Sequence, residues 1–483
     1  MTDTLPAATS GGLERNGINV IADDERKGRP RGLFWPWFGA NVSVLGLSYG
    51  SFALGFGISF WQALIAGVLG IVVSFLLCGF VAVAGKRGSA PTMVLSRAAF
   101  GVRGNRLPAV VSWVLTVGWE TVLTILATLA TATVFDRLGW GGGTATKVVA
   151  LLVVAALVIG GGVLGFDVVM RLQTVITIVT GVLTVVFVVL SLDHVSWSAV
   201  SAVPAGSAQD VVGATVFFMT GFGLGWVNAA ADYSRYLPRS ASGRGVVAWT
   251  TIGGALAPVV LLVFGLLLAG SSTELSSAIG LDPVGALASL LPTWFLVPFV
   301  IVAVLGLIGG ALLDIYSSGL ALLAAGVRIP RFAAALVDGV IMVAGTIWVV
   351  FAADSFVLQF QGFLITLGVP IAAWCGVELA DLVLRRRDYD EPALFDVRGR
   401  YGDVRPVPVA IMLVGTALGW GLVTNSGASW LTWQGYLLAP FGLGGRDGAW
   451  AYANLGVLVA LAVGFLATVL VSRGAVRQQE SSS

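Results

Sequence analysis

The sequence predicts an all-α polytopic membrane protein with twelve transmembrane helices, arranged as a 5+5 inverted repeat plus two C-terminal helices. Three observations predict this class: the composition, a regular series of apolar segments, and an uneven distribution of basic residues. Hydrophobic residues make up 57% of the 483 residues and charged residues only 11%, with a mean hydropathy of +0.93. Soluble domains have far fewer apolar residues and about twice as many charged ones.

Twelve apolar segments approach the length of about 20 residues that crosses the hydrocarbon core of a bilayer. They lie at residues 34–57, 60–84, 107–134, 148–166, 172–192, 212–231, 246–270, 295–326, 336–353, 357–384, 407–424 and 450–472. The domain organisation that follows is a tail at 1–33, a first five-helix repeat at 34–192, a second, inverted repeat with external loops at 193–384, a loop at 385–406, helices 11 and 12 at 407–472 and a tail at 473–483.

The basic residues set the expected orientation. If the N-terminus is cytoplasmic, 24 of the 27 Lys and Arg residues fall in segments on the inner side, and only Arg137, Lys147 and Arg446 fall outside. Cytoplasmic loops carry such an excess. We therefore expect a multi-pass protein of the cytoplasmic membrane with both termini and the 385–406 loop in the cytoplasm. The lipid bilayer is its expected surrounding, and nucleic acid is not implied.

Two of the apolar segments, 34–57 and 212–231, are interrupted by glycine and small polar residues, at 39–50 and 220–228 respectively. Glycine disfavours a helix interior, and unwound backbone inside a membrane is tolerated only where it meets protein, a cavity or a ligand. Each segment opens one repeat of five spans, and an odd number of spans makes the second repeat inverted. Paired interruptions of this kind indicate the substrate site of a carrier.

Two acidic residues lie deep within predicted spans: Glu120 in the third and Asp314 in the eighth. A charge at the bilayer centre is costly, so each must face protein or water. We expect one carboxylate to bind a polar, NH-rich solute and one to exchange a proton, whereas structural hydrogen bonding between helices is the alternative. Four further acids are placed near span ends and expected to be solvated: Asp167, Asp232, Asp354 and Asp381.

Trp119 adjoins Glu120 and offers a plane for stacking a flat heterocycle, and Phe222 in the interrupted sixth span offers a second. Ser43, in the interrupted first span, can bind the solute or satisfy freed backbone groups. An enzyme is disfavoured because the single histidine, His194, lies in a predicted external loop and no P-loop is present. An intramembrane enzyme using Glu120 and Asp314 and a channel are the alternatives from other classes.

The chain resembles the nucleobase:cation symporter-1 family, in particular its purine-cytosine permease branch. The resemblance rests on motifs that follow one another in order along most of the chain. They are Glu14 to Ile18, Glu25 to Gly28, Trp37 to Ser43, Gly85 to Pro91, Ser96 to Gly101, Gly118-Trp119, Ala231 to Tyr236 and Ile315 to Leu320.

The resemblance implies a LeuT-like carrier that imports a nucleobase, such as cytosine or a purine, with H⁺ or Na⁺. The family's substrate contacts would fall here on Ser43, Trp119, Asp314 and the backbone of Phe222, Gly223 and Gly225. Three positions depart from the family's pattern: Asp314 replaces a frequent asparagine, and Gly310 and Leu123 replace polar residues. The departures keep hydantoin, allantoin or a vitamin such as thiamine or a pyridoxine relative as alternative substrates.

The coupling ion is expected to be H⁺ rather than Na⁺. In this family fold Na⁺ is held by carbonyls of the first span and hydroxyls of the eighth, and residues 308–313 contain neither Ser nor Thr. A hard cation needs several oxygen ligands. Asp314 and Glu120 are therefore the proton-coupling candidates, and neither a resident metal nor an organic cofactor is expected.

Overall fold

The computed structural model describes residues 16–352, 356–425 and 429–481, and within these ranges the chain forms helices joined by loops. The principal helices are α1a (Phe34–Asn41), α1b (Leu45–Leu54), α2 (Phe60–Gly88), α3 (Arg106–Arg137), α4 (Thr144–Leu164), α5 (Phe166–Ser191), α6 (Ala208–Gly221), α7 (Gly243–Ser271), α8 (Leu296–Ala324), α9 (Arg331–Ala352), α10 (Phe356–Leu384), α11 (Pro406–Trp420), α12 (Leu455–Val471) and α13 (Arg473–Ser481). Beyond its end, α6 continues through Gly223–Trp226, Val227–Ala229 and Ala230–Ser234.

The all-helical, polytopic class is confirmed. In the described part of the chain, nine helices are long and apolar enough to cross a membrane, or ten if α12 and α13, which meet at 58°, form one span. The remaining two predicted spans are α1, which is divided into two short helices, and α11, which has 15 residues. The count of twelve and the domain boundaries stay predictions.

Segments predicted on the same side of the membrane meet in the structure. In the N-terminal tail, Arg26 lies 3.7 Å from Glu391 of the 385–406 loop. At the opposite end of the bundle, Gln62 donates a hydrogen bond of 2.9 Å to the carbonyl of Gly206, which joins two predicted external segments. The basic segments thus share one face of the protein.

The interruption of the first span is narrower than predicted. Only residues 42–44 separate α1a from α1b, and Gly46 and Gly50 are helical. These glycines serve packing against α7: a Cβ on Gly50 would lie 2.1 Å from the carbonyl carbon of Gly265, and one on Gly265 would lie 2.0 Å from the Leu47 oxygen. The absence of side chains brings the two backbones into direct contact.

Gly265→Ala is expected to destabilise the protein by about 3 kcal/mol or more, because the added methyl group meets backbone rather than a movable side chain. The measurement is thermal unfolding of purified protein in detergent. Gly181→Ala is the matched control, since a Cβ there meets nothing within 4 Å. Equal melting temperatures for the two variants would contradict the proposed α1b–α7 contact.

Candidate substrate and ion site

The unwound segment of α1 lies against a glycine face of α8. The Ser43 hydroxyl accepts a hydrogen bond of 3.3 Å from the amide of Leu45, the first residue of α1b. A Cβ on Gly306 would lie 3.1 Å from the Val42 oxygen, and one on Gly309 would lie 3.0 Å from the Gly39 oxygen. The glycines therefore let the carbonyls that lack helical partners approach α8 closely.

The predicted interruption of the sixth span is confirmed, and it falls at Phe222 (φ −127°, ψ −109°). The amide of Gly223 donates to the Ser74 hydroxyl of α2 at 3.0 Å, and a Cβ on Gly223 would lie 2.1 Å from the Ser74 carbonyl carbon. Gly225 faces the other way: a Cβ there would lie 3.0 Å from Nε1 of Trp119. Gly223 thus fixes the break to the neighbouring helix, and the missing side chain of Gly225 lets the backbone of the break approach the indole closely.

A row of four aromatic rings crosses the interior near the two breaks. Ring centroids are 5.5 Å apart for Trp119 and Phe360, 6.4 Å for Phe360 and Tyr49, and 4.6 Å for Tyr49 and Phe222. Trp119 and Phe222 were predicted, whereas Tyr49 and Phe360 were not. The row joins α3, α10, α1b and the α6 break into one apolar wall.

Glu120 and Asp314 are both buried, with exposed fractions of 0% and 1%. Within the described chain, no donor makes a hydrogen bond to either carboxyl group. The two groups are close enough for their charges to interact. A buried carboxylate without donors or a cation is strongly disfavoured, so each requires a proton or a ligand to be stable.

Two of the departures from the family's pattern, Leu123 and Gly310, are neighbours in space. A Cβ on Gly310 would lie 2.7 Å from Cδ1 of Leu123. Leu123 lies one turn along α3 from Trp119, and Gly310 lies one turn along α8 from Asp314. The leucine side chain therefore fills the volume left by the glycine, and this part of the α3–α8 interface is apolar.

Sequence reasoning missed another buried acid near Glu120, Asp338 of α9. It accepts hydrogen bonds from Trp113 Nε1 at 2.7 Å and from the Ser318 hydroxyl at 2.8 Å. The charge of Asp338 also interacts with that of Glu120. Ser318 lies near both acids, and its hydroxyl donates to Asp338. The sequence feature that could have indicated a buried acceptor here is Trp113, which lies two helical turns before Glu120 on the same face of α3.

The expected solvation of acids near span ends is wrong for Asp232 and Asp381. Asp232 is 3% exposed and accepts both the amide and the hydroxyl of Thr92 at 2.8 Å. Asp381 is equally buried and pairs with Arg385 at 2.9 Å. Asp167 is exposed, as expected, and Asp354 lies outside the described residues.

The predicted residues fall into separate parts of this region. Trp119 and Gly225 face each other, and Phe222 ends the same aromatic row. Glu120 turns away from that row toward α8 and α9. Ser43 packs against Gly306, which is two turns of α8, or about 12 Å, from Asp314.

Two interrupted helices, an internal aromatic wall and buried carboxyl groups define a membrane permease. The sequence model of the family described as "Permease for cytosine/purines, uracil, thiamine, allantoin" matches residues 20–438. The chain belongs to this family of permeases, which are transporters and not enzymes, and the resemblance noted above is confirmed.

Two curated relatives carry related names. The putative purine-cytosine permease YxlA of Bacillus subtilis (strain 168) is 22% identical over 455 residues, which is 91% of this chain and 93% of the relative. The purine-cytosine permease FCY2 of Saccharomyces cerevisiae is 27% identical over 240 residues, which is 47% of this chain and 42% of the relative.

Solved structures confirm the LeuT-like fold. Mhp1, a nucleobase-cation-symport-1 family transporter in a closed conformation with bromovinylhydantoin bound, is 18% identical and has a TM-score of 0.70, covering 98% of this chain and all of Mhp1. A Na⁺-coupled sialic acid symporter in a substrate-bound outward-open state is 12% identical and has a TM-score of 0.63, covering 93% and 91% of the two chains.

Proposed function

We propose that this protein is a symporter that imports a nucleobase such as cytosine or a purine across the cytoplasmic membrane, coupled to protons, with both termini in the cytoplasm. The observation that carries this proposal is the Asp314 carboxyl group, which is buried in α8 without a hydrogen-bond donor. It lies one turn along α8 from the Gly310–Leu123 contact. An acid placed in this way can accept the N–H groups of a heterocycle.

The aromatic row supports a planar substrate. A flat ring can stack on an aromatic plane such as the indole of Trp119. The indole Nε1 is buried, and it makes no hydrogen bond within the described ranges, so it can donate to a substrate carbonyl. Cytosine and the oxopurines carry both a carbonyl oxygen and N–H groups on one ring.

Proton coupling is supported by the nature of the oxygen atoms near the α1 break. The carbonyls of Gly39 and Val42 face glycines of α8, and residues 308–313 of that helix contribute no hydroxyl to a Na⁺ site, although the Thr177 hydroxyl of α5 lies beside Gly39. Asp314 and Glu120 can instead each hold a proton, which makes the buried group neutral. Proton binding from outside and release inside would thereby couple to the transport cycle.

A carrier of hydantoin, allantoin or a vitamin, coupled to H⁺ or Na⁺, is the second candidate. The apolar Leu123–Gly310 contact favours this second candidate. A nucleobase could form more hydrogen bonds than this part of the α3–α8 interface offers. The family description includes thiamine and allantoin, and bromovinylhydantoin is bound in the similar Mhp1 structure.

The test is uptake of radiolabelled cytosine by cells that express the protein, against cells with the empty vector. We expect saturable uptake that excess adenine or hypoxanthine inhibits and that a protonophore abolishes. Uptake that persists with a sodium gradient after protonophore treatment would contradict proton coupling. Absence of cytosine uptake, with saturable uptake of labelled allantoin, hydantoin or thiamine, would favour the second candidate.

A further inference from the structure

A cavity of about 660 Å³ opens on the face of the protein that carries the basic segments. Its wall is formed by the N-terminal segment at Gly17 to Asn19, the start of α3, and the loop between α8 and α9. The cavity lies outside the aromatic row and the buried acids of the transport site. The cavity is therefore separate from the transport site, and it opens on the face that we propose to be cytoplasmic.

The cavity is lined by an unusual number of positive charges. Four arginines line it: Arg97, Arg106, Arg328 and Arg331. Of the residues described as lining the cavity, none is acidic. Phosphate groups are bound preferentially by arginine, whose planar guanidinium donates two parallel hydrogen bonds.

Arg97 is a buried arginine of this cavity, and one nitrogen of its side chain makes no hydrogen bond within the described chain. It is 6% exposed, and its Nη1 donates to the carbonyl of Leu394 at 3.1 Å. Its Nε is buried, and no acceptor among the described residues reaches it. Burial and the neighbouring charge of Arg106 lower the pKa of Arg97 to about 10, so the group remains charged at neutral pH.

The other basic cavity on this face differs in its charge balance. It is lined by Arg386, Arg387, Arg473, Arg477 and Glu480. Glu480 accepts the amides of Arg386 and Arg387 at 2.7 and 2.8 Å. That cavity contains an acidic residue among its lining residues, whereas the described residues that line the cavity around Arg97 include none.

We propose that the cavity lined by Arg97, Arg106 and Arg328 binds the phosphate group of an anionic ligand. The phosphate comes either from a lipid headgroup of the inner leaflet or from a free phosphate ester in the cytosol. Arg106 is positioned by the turn after α8, where Gly326 has φ +104° and a Cβ would lie 2.9 Å from Arg106 Nε. Arg106 and Arg328 are exposed, so both can close on a ligand.

A ligand in this cavity would be linked to the transport helices. The carbonyl of Gly17, in the cavity wall, accepts Nη1 of Arg235 at 2.8 Å. Nη2 of Arg235 donates to the hydroxyl of Tyr316 on α8 at 2.7 Å. The bound phosphate would therefore hold the N-terminal segment against the inner ends of α6 and α8.

The test uses the purified full-length protein, freed of lipid in a neutral detergent. One arm measures the melting temperature during titration with adenosine monophosphate, and the other measures retention of phosphatidylglycerol by native mass spectrometry, with phosphatidylcholine for comparison. We expect a saturable effect in at least one arm. An effect only with adenosine monophosphate assigns a free phosphate ester, and an effect only with phosphatidylglycerol assigns a headgroup.

Arg106→Gln and Arg328→Gln are each expected to weaken binding about tenfold, because each removes a charge-assisted hydrogen bond from an exposed position that the fold does not need. Arg473→Gln is the matched control, since it removes one charge from the other basic cavity and should leave the affinity unchanged. Absence of saturable binding in both arms, or an equal loss with Arg473→Gln, would overturn the proposal.

Discussion

Asp314→Asn is expected to abolish proton-driven accumulation of cytosine while the exchange of labelled for unlabelled cytosine continues. Asparagine has nearly the same shape and keeps one acceptor oxygen, but it cannot gain or lose a proton. We expect the initial rate of uptake into proteoliposomes under an imposed pH gradient to fall about 100-fold, the upper range for loss of an interaction with a charged group. Exchange without a gradient should fall far less.

Asp167→Asn is the matched control, because Asp167 is exposed at the start of α5. It should accumulate cytosine as the unmodified protein does. Accumulation at the normal rate by Asp314→Asn would refute the assignment of the coupling proton to Asp314 and shift attention to Glu120. Loss of both accumulation and exchange would assign Asp314 to substrate binding alone.

Trp119→Ala is expected to weaken cytosine binding by about 5- to 150-fold, the range found when an aromatic side chain that stacks on a base is removed. The variant also removes the ring that packs on Phe360 at a centroid distance of 5.5 Å. Trp119→Phe keeps a smaller ring and lacks the Nε1 donor. Its affinity for cytosine should lie between those of the unmodified protein and Trp119→Ala. The measurement is equilibrium binding of labelled cytosine to purified protein.

Trp61→Ala provides the comparison for loss of a tryptophan as such, since Trp61 is 60% exposed at the start of α2. Its affinity for cytosine should be unchanged. The melting temperature of each variant separates a binding defect from unfolding. A correctly folded Trp119→Ala protein that binds cytosine normally would show that the indole is no part of the substrate site.

The sequence was most informative where one physical requirement acted alone. Long apolar helices were predictable because a bilayer demands about 20 apolar residues whatever the neighbours are. The interruption at Phe222 was predictable because two flanking glycines disfavour helix in hydrocarbon. The interruption of α1 was predicted too wide, because Gly46 and Gly50 are helical and pack closely against α7. In the sequence, a glycine used for close packing cannot be told from a glycine in unwound backbone.

Features that depend on partners far along the chain were not predictable. α9 begins at Arg331, earlier than the predicted residue 336, so Asp338 lies two turns into the helix, beside Trp113, and not at its end. The burial of Asp232 is stabilised by Thr92, which lies in the segment between α2 and α3 and supplies two donors. A single sequence records neither the depth of these groups nor the element that covers them.

The contact between Gly50 and Gly265 has a consequence for motion. The backbones of α1b and α7 interlock so closely that neither can slide past the other without separating, so the two helices must travel as one rigid unit. α1a packs on α7 as well, since a Cβ on Gly253 would lie 2.9 Å from the Phe34 oxygen, and its other side lies against the glycine face of α8. Both halves of α1 are therefore held to α7, so motion relative to α8 must carry α1a, residues 42–44, α1b and α7 together.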